Sequence, residues 1–322
     1  MTVVAWYWNQ TGSTPVAASA SNAWTNASGT AGNPAAGDIL NIVQLPGVTV
    51  APINFGTTAG TTYGEVNFSA GLPTTYSVGA QDLASADDFG FWVINATVIN
   101  IGVPVAASGN ALGSNFGQGP GRIKLNTGTV ACTVNVFSTG NSLDTGLEPV
   151  RILANNASTV VNVLGGTVGI GTNLPGDTST IGTAVASGSN SNLDVGPGVT
   201  ATTVQVANSA TAYLESSPAT LTVAANATAY AVGLPLITTL NNYGTCNFNV
   251  RPASGAAITT LNTYGGSTFD ASGNPGAFTV TNWNNYSSAS SPVKVQKFQA
   301  NANQITLTNP INDFGGGLMT LN

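Results

Sequence analysis

The sequence contains no histidine and very little charge: only 6% of its residues are Asp, Glu, Lys or Arg, against about 25% in a typical soluble domain. Without histidine, Ser-His-Asp and Cys-His catalysis and the usual metal sites are excluded. Twelve acidic residues outnumber six basic ones, and the basic residues form no cluster. Because a protein that follows nucleic-acid phosphates needs a basic surface, we expect no nucleic-acid partner.

Long apolar runs are also missing. No stretch approaches the 18 or more apolar residues of a membrane span, so we expect no membrane partner. The opening MTVVAWYWNQTG has neither the basic region nor the apolar stretch of a secretory signal, which predicts a protein made in the cytoplasm. Cys132 and Cys246 have no metal-site spacing. We expect both cysteines to be small hydrophobic residues on buried strand faces, with a disulfide between them left open.

One sequence is repeated almost unchanged. Residues 237–248 read ITTLNNYGTCNF and residues 258–269 read ITTLNTYGGSTF, which places Leu261 21 residues after Leu240 (261 − 240 = 21). Tyrosines keep the same kind of step, as Tyr213 to Tyr230 and as Tyr243, Tyr264 and Tyr286. The spacing predicts a series of inward residues at steps of 17 to 22: Val163, Val185, Val206, Val223, Leu240, Leu261 and Trp283.

A period near 20, with short alternating segments between Gly, Asn, Pro and Ser turns, is typical of a solenoid. Segments such as TVTNW and TLTV alternate with the period of two that strands require, and no helical pattern occurs. Leucine-rich repeats have a similar period, but their L-x-x-L-x-L framework is missing. We therefore predict an all-β fold, a single-stranded parallel β-helix (solenoid) with coils of about 17–22 residues.

The series TLNNYGTCNF and TLNTYGGSTFDASGNPGAFTVTNWNNY resembles the coils of phage-type parallel β-helix proteins and of some bacterial surface proteins. With that resemblance, the chain is divided into an N-terminal aromatic cap or docking region (1–50), an irregular β region of further coils or an insertion (51–150), and a regular β-solenoid (151–322). In the first part we expect Trp6, Trp8 and Trp24 to cover the open end of the first coil. An exposed aromatic platform for sugars is the alternative for these tryptophans.

Carboxylates are the remaining route to catalysis, as in glycosidases. Asp87 and Asp88 in SADDFGFW, with Arg122, Ile123 and Lys124 in GRIKL, are similar to the Asp-Asp and Arg-Ile-Lys motifs of polygalacturonase-type β-helices. That family also has Asn-Thr-Asp before the pair and Gly-His-Gly after it, and this chain has neither. We therefore interpret the acidic pair as a solvated turn and GRIKL as an incidental basic strand end, and predict no catalytic residues.

Weaker motifs are interpreted structurally. GTVGIG at 166–171 lacks the G-K-[ST] of a phosphate loop and is read as a β-turn. The sequons at Asn95 and Asn226 are attributed to chance in an Asn/Thr-rich chain. We place Asp177, Asp194 and Asp270 in turns, where the Gly-rich repeat of calcium-binding solenoids is missing, and expect neither a metal nor a cofactor.

The resemblance implies a non-enzymatic structural virion protein of a bacteriophage: a head decoration, fibre or spike component that acts as a rigid scaffold. It would be assembled in the host cytoplasm and released by lysis, with other virion proteins and further copies of itself, such as a trimer, as partners, and with host surface glycans as a further candidate partner. Two alternatives stay open: a polysaccharide-binding or -degrading tail spike or lyase, and a bacterial surface adhesin.

Overall fold

Strands form every regular element in the described part of the chain. The computed structural model describes residues 2–44, 48–56, 58, 60–73, 76–79, 91–104, 122–140, 148–171, 178–232, 236–248, 257–271, 278–296, 305–316 and 319–321. Within these ranges the chain forms strands, turns and bends and no helix. The absence of helical periodicity in the sequence is consistent with this result.

The strands are short, and most have between two and nine residues. In chain order they are β1 (Ala5–Trp8), β2 (Val16–Ala17), β3 (Trp24–Asn26), β4 (Ala31–Gly32), β5 (Ile39–Ile42), β6 (Ile53–Asn54), β7 (Tyr63–Ser69), β8 (Ser77–Val78), β9 (Trp92–Val93), β10 (Ala96–Val103), β11 (Arg122–Asn126), β12 (Thr133–Val136), β13 (Val150–Leu153), β14 (Val160–Val163), β15 (Gly166–Ile170), β16 (Ser179–Ser187), β17 (Ser191–Val195), β18 (Val199–Ala207), β19 (Thr211–Leu214), β20 (Thr220–Val223), β21 (Thr228–Ala231), β22 (Leu236–Asn242), β23 (Thr245–Asn247), β24 (Ala257–Tyr264), β25 (Thr268–Asp270), β26 (Phe278–Tyr286), β27 (Val293–Gln296), β28 (Ile305–Leu307), β29 (Asn312–Asp313) and β30 (Met319–Leu321).

From β10 to β28, strands that follow one another in the chain alternate between two large sheets. The first sheet has the order β28-β26-β24-β22-β20-β18-β16-β14-β12-β10-β7-β5-β1-β3-β4, with β29 beside β26. The second has the order β30-β27-β25-β23-β21-β19-β17-β15-β13-β11-β8, with β9 beside β11, and β2 pairs with β6 in a small third sheet. From β5 to β30 the pairs in both large sheets are parallel. The prediction of a parallel β-helix is confirmed.

Alternation within each strand places the core between the two sheets. In β20, Leu221 and Val223 are fully buried, while Thr220 and Thr222 face outward and are partly exposed. Because successive side chains of a strand point to opposite faces, each coil contributes two inward positions from such a strand. Stacking repeats these positions along the whole molecule.

The predicted inward series is correct in part. Leu240, Leu261 and Trp283 are paired in register and buried, as are Val206 and Val223. These residues belong to two neighbouring inward columns, however, because Leu240 pairs with Leu221 and not with Val223. The first column is Val161, Ala184, Val204, Leu221, Leu240, Leu261 and Trp283; the second is Val163, Ala186, Val206, Val223, Asn242, Thr263 and Asn285.

The prediction for Val185 is wrong. Val185 pairs with Asn162 and Gln205 and faces outward, while its neighbours Ala184 and Ala186 are buried. Three apolar residues in succession carry no alternation, so hydrophobicity does not reveal which of them faces the core.

Coil length changes along the chain. Side chains bonded between neighbouring coils are 26, 33, 35 and 27 residues apart from Asn41 to Asn162. They are 21 and 22 residues apart from Asn241 to Asn284. The predicted length of 17–22 residues therefore describes the later coils, and the earlier coils carry longer loops. The division of the chain at residues 50 and 150 stays a prediction.

The N-terminal end departs from the parallel stack. There β1 pairs in parallel with β5 on one side and antiparallel with β3 on the other, and β3 pairs antiparallel with β4. Trp8 and Trp24 are fully buried, with ring centroids 4.9 Å apart in an edge-to-face arrangement. Their Nε1 atoms donate to the Ala51 and Ala18 carbonyls. These two rings are core residues at this end of the stack, which excludes them as an exposed sugar platform.

Candidate functional site

Asparagine recurs at one outward position of the first sheet. Each of these side chains lies between two residues that face the core, so it points away from the core. From the first coil to the last, the outward column contains Asn41, Asn67, Asn100, Asn135, Asn162, Val185, Gln205, Thr222, Asn241, Asn262, Asn284 and Asn312. We call this column the amide column.

Hydrogen bonds run along the amide column in one direction. Each Asn Nδ2 donates to the Oδ1 of the asparagine in the preceding coil, at 2.7–3.0 Å. At the N-terminal end, Asn41 Nδ2 donates to the Trp6 carbonyl at 3.3 Å. Ladders of stacked amides are known to stabilise in-register parallel strands. The column therefore links one coil to the next outside the core.

The amide column is interrupted at its centre. Val185, Gln205 and Thr222 replace asparagine in three successive coils. Asn241 resumes the column by donating from Nδ2 to Thr222 Oγ1 at 3.3 Å. Val185 has no group that can donate to Asn162 Oδ1, so the two runs of asparagines are separate.

Stacked aromatic rings form a second set of links between coils. Tyr243, Tyr264, Tyr286 and Phe314 make one continuous stack, with centroid distances of 3.8, 5.0 and 5.0 Å and interplanar angles of 11–13°. Burial and the neighbouring hydroxyl of Tyr243 raise the pKa of Tyr264 to about 12. The rings are partly exposed, so their stacking stabilises the coil edges at the surface.

A second outward column, on the second sheet, contains four charged residues. It contains Lys124, Arg151, Gly169, Asp194, Tyr213, Tyr230, Asn247, Asp270 and Gln296. Arg122 lies two residues before Lys124 in β11, and Glu148 and Glu215 interact electrostatically with Asp194. We define the charged cluster as Arg122, Lys124, Glu148, Arg151, Asp194 and Glu215.

Arg122 begins the strand β11, as the interpretation of GRIKL as a basic strand end expects, whereas Lys124 lies in the middle of that strand. Arg122 is 6% exposed and Lys124 is fully buried, although both face away from the core, while Ile123 faces inward. Lys124 lies beside Arg151 in the register of β11 and β13. Asp87 and Asp88 lie outside the described residues.

The centre of the charged cluster is a pair of carboxyl groups. Glu148 Oε2 forms an ion pair with Arg151 Nη2, 2.5 Å away, and Arg151 Nη1 donates to the Gly171 carbonyl. Burial, followed by a hydrogen bond to Glu148, raises the pKa of Asp194 to about 7. Because its pKa is raised, part of Asp194 is protonated near neutral pH, and this neutral form can donate to the Glu148 carboxylate.

A glycine makes room for this pair. Gly169 lies between Arg151 and Asp194 in the outward column. A Cβ atom there would be 2.9 Å from Glu148 Oε2 and 3.3 Å from Arg151 Cγ. The missing side chain at Gly169 therefore leaves room for the Glu148 carboxylate above β15.

The remaining candidates from the sequence are placed as follows. Cys132 and Cys246 are free and buried, as predicted, and burial raises the pKa of both thiols. GTVGIG contains the strand β15, so its assignment as a turn is wrong. Asp194 and Asp270 lie in strands and not in the turns expected for them, and Asp177 lies outside the described residues.

The sequons also have defined places. Asn95 is 7% exposed and donates from Nδ2 to the Gly60 carbonyl at 3.2 Å, so its side chain is already engaged. Asn226 adopts a positive φ of 64° in a turn.

The described ranges contain neither a cluster of metal-ligating side chains nor a helix that could span a membrane. No group of three or more His, Cys, Asp or Glu side chains in these ranges is arranged to hold a metal ion. None of the described residues form a helix with the length and hydrophobicity of a membrane span.

Part of the amide column can be recognised in the sequence, whereas the charged cluster cannot. Asn241, Asn262 and Asn284 keep the 21- and 22-residue period, so the later half of the column is visible as a repeat. The members of the charged cluster come from coils of unequal length, so no motif joins them.

No protein-family model, curated protein or solved structure matches the chain closely enough to identify its family.

Proposed function

We propose that the chain is a non-enzymatic structural protein of a bacteriophage virion, a head decoration, fibre or spike component that acts as a rigid β-solenoid scaffold. The observation that carries the proposal is the amide column. Its two hydrogen-bonded runs, from Trp6 to Asn162 and from Thr222 to Asn312, together link most of the coils of the stack. A protein whose task is to keep its shape benefits from side-chain bonds that join most of its neighbouring coils.

Three sets of contacts support rigidity together. Inward aliphatic side chains form the dry core, the outward amides bond from coil to coil, and the aromatic rings stack at the edge. A slip of one residue in any strand would turn its apolar residues outward and break the amide bonds, so the register is fixed from both faces. This dual fixing favours a stiff rod over a flexible chain of repeats.

The weakly charged surface supports the same role. With 6% charged residues, the protein has little electrostatic repulsion between neighbouring copies. Tyr243, Tyr286 and Phe314 are 41%, 41% and 63% exposed along one edge, where they offer aromatic surface to other virion proteins or to further copies of this chain. Assembly in the host cytoplasm and release by lysis belong to this proposal.

The carboxyl pair is the observation that bears on a polysaccharide-degrading alternative. Glycosidases keep their two carboxyls about 5–9.5 Å apart, with the sugar or a water between them. The Asp194 carboxyl is instead within hydrogen-bonding reach of Glu148, and Glu148 also forms an ion pair with Arg151. This geometry fits a structural clamp between coils better than a pair that flanks a glycosidic bond.

Mass spectrometry of purified particles tests the proposal. Particles from lysed cultures of the source organism are banded by density, and the peptides of this chain are quantified against a known capsid protein. We expect the chain to co-purify with intact particles at constant stoichiometry, and to stay with them after a high-salt wash. Its absence from every particle fraction, with the chain present in the soluble lysate, would overturn the proposal.

A further inference from the structure

A cavity of about 400 Å³ opens beside the first coils, away from the amide column and the charged cluster. It lies where the small sheet of β2 and β6 meets the start of β7 and the end of β9. Its size is within the range of small-molecule sites in proteins. The described residues that line it are Ala17, Ala18, Ser19, Asn54, Phe55, Gly56, Thr58, Gly60, Thr61, Tyr63, Val93 and Asn95.

The chemistry of the lining is neutral and mixed. Among the lining residues that the structure describes, none carries a charge, so nothing there compensates a charged ligand. Phe55 and Tyr63 supply aromatic surface, and both pack against the core. Asn54, Asn95 and Thr61 supply amide and hydroxyl groups. An aromatic surface beside neutral donors and acceptors matches a sugar, which has an apolar ring face and a rim of hydroxyls.

Local hydrogen bonds decide which polar atoms are offered to a ligand. Asn54 Oδ1 accepts from Gly56 N at 2.7 Å, so the group that Asn54 can offer is its Nδ2 donor. Asn95 is only 7% exposed, and its Nδ2 donates to the Gly60 carbonyl. Its Oδ1 is therefore the atom that can accept a hydrogen bond from a ligand. The cavity therefore presents an amide donor and an amide acceptor on different walls.

The walls are held in place before any ligand binds. Ala18 N donates to the Asn54 carbonyl at 2.7 Å, and Val93 N donates to the Gly56 carbonyl at 2.9 Å. Tyr63 N donates to the Asn95 carbonyl at 2.9 Å, which fixes the aromatic wall to the buried amide. Because these bonds join three separate segments, a ligand would meet a largely formed site.

We propose that this cavity binds one residue of a neutral saccharide, with its ring face on the aromatic side chains and its hydroxyls bonded to Asn54 Nδ2 and Asn95 Oδ1. The proposal adds a binding activity to the scaffold role and does not depend on it. A neutral lining disfavours uronic acids and phosphorylated sugars, because their charge would lose hydration without gaining a partner.

Amide NMR spectra of the intact chain, titrated separately with cellobiose, maltose, lactose and digalacturonate, test the proposal. We expect at least one neutral disaccharide to give saturable shifts at Asn54, Gly56, Tyr63 and Asn95, with a Kd in the millimolar range. Digalacturonate should cause no saturable shift at these residues. Failure of all three neutral disaccharides to shift them, or equal binding of digalacturonate, would overturn the proposal.

Two variants separate binding from folding. Asn54→Asp keeps the oxygen that accepts from Gly56 N but removes the Nδ2 donor, and we expect it to weaken binding about tenfold or more. Gln205→Leu changes an exposed residue of the amide column far from the cavity and should leave the Kd unchanged. A folded Asn54→Asp protein that binds the disaccharide as tightly as the native chain would also contradict the proposal.

Discussion

The side chain of Asn262 donates from Nδ2 to Asn241 Oδ1, 2.7 Å away and 21 residues earlier in the chain. Asn262 Oδ1 in turn accepts from Asn284 Nδ2 at 2.8 Å. Replacing Asn262 by Ala breaks both bonds and leaves a donor and an acceptor in the neighbouring coils without their partners. We expect a loss of about 1–3 kcal/mol in the free energy of unfolding, measured by denaturant titration. Gln205→Ala, at the interruption of the column, is the matched control and should cost less than about 0.5 kcal/mol.

The interruption of the amide column predicts a stabilising change. Val185 follows Asn162 in the column and faces outward. Val185→Asn would place an amide donor opposite Asn162 Oδ1, as in the coils before it, and we expect a gain of about 0.5–1.5 kcal/mol in the free energy of unfolding. Val185→Leu, which has about the size of asparagine but no group that can donate, should give no such gain. Equal stability of the two variants would show that the amide bonds contribute little to the stack.

Leu261 tests the inward column. It is fully buried between Leu240 and Trp283 in the neighbouring coils. Leu261→Ala should lower the free energy of unfolding by about 2–5 kcal/mol, and Leu261→Asp by more, because it buries a carboxylate without a partner. Thr259→Asp, at an exposed position of the same strand, is the control. A folded Leu261→Asp protein with an unchanged melting temperature would contradict the assigned register.

Asp194 predicts a pH dependence of stability. Its pKa is raised from 3.8 to about 7 in the folded protein, so the folded state binds the proton more tightly than the unfolded state. The stability that this group contributes is complete below about pH 4 and is lost as pH rises through about 7. Asp194→Asn, which stays neutral, should remove this slope from melting temperatures measured between pH 4 and 8. A slope that persists in the variant would assign it to another group.

A substitution at Gly169 tests how far Glu148, in addition to burial, raises the pKa of Asp194. A Cβ atom at this position would meet Glu148 Oε2 at 2.9 Å, so Gly169→Ala should displace the Glu148 carboxylate from Asp194. We expect the pKa of Asp194, followed by carboxyl NMR, to fall toward its ordinary value. Gly60→Ala, where an added Cβ meets nothing within 4 Å, should leave it unchanged. An unaltered pKa in Gly169→Ala would show that burial alone is responsible.

The fold was predictable from sequence because the later coils repeat with little change. Leu240, Leu261 and Trp283 recur with asparagines and tyrosines at fixed offsets, so both the period and the inward face could be read there. The register failed at Val185 because Ala184, Val185 and Ala186 are all apolar. It also shifted by two residues after Val223, where the second inward position changes from Val to Asn242 and the period no longer marks it.

The charged cluster could not be predicted because its members are joined by loops of different length. Arg151 and Asp194 approach the same place only through the pairing of β13, β15 and β17. The role of Gly169 depends on that pairing as well, since a glycine in GTVGIG resembles any turn residue in the sequence. The burial of Lys124 could not be predicted from the sequence either, because this side chain faces away from the core and is nevertheless fully buried.

Removal of two whole coils tests the scaffold account most directly. Leu236 and Thr279 occupy the same register position two coils apart (279 − 236 = 43), so deleting residues 236–278 joins equivalent points of the stack. We expect cryo-electron microscopy of particles carrying this deletion to show the chain still incorporated, with its density shorter by about 10 Å, two strand spacings. Particles that exclude the folded, shortened chain, or a density of unchanged length, would contradict the account.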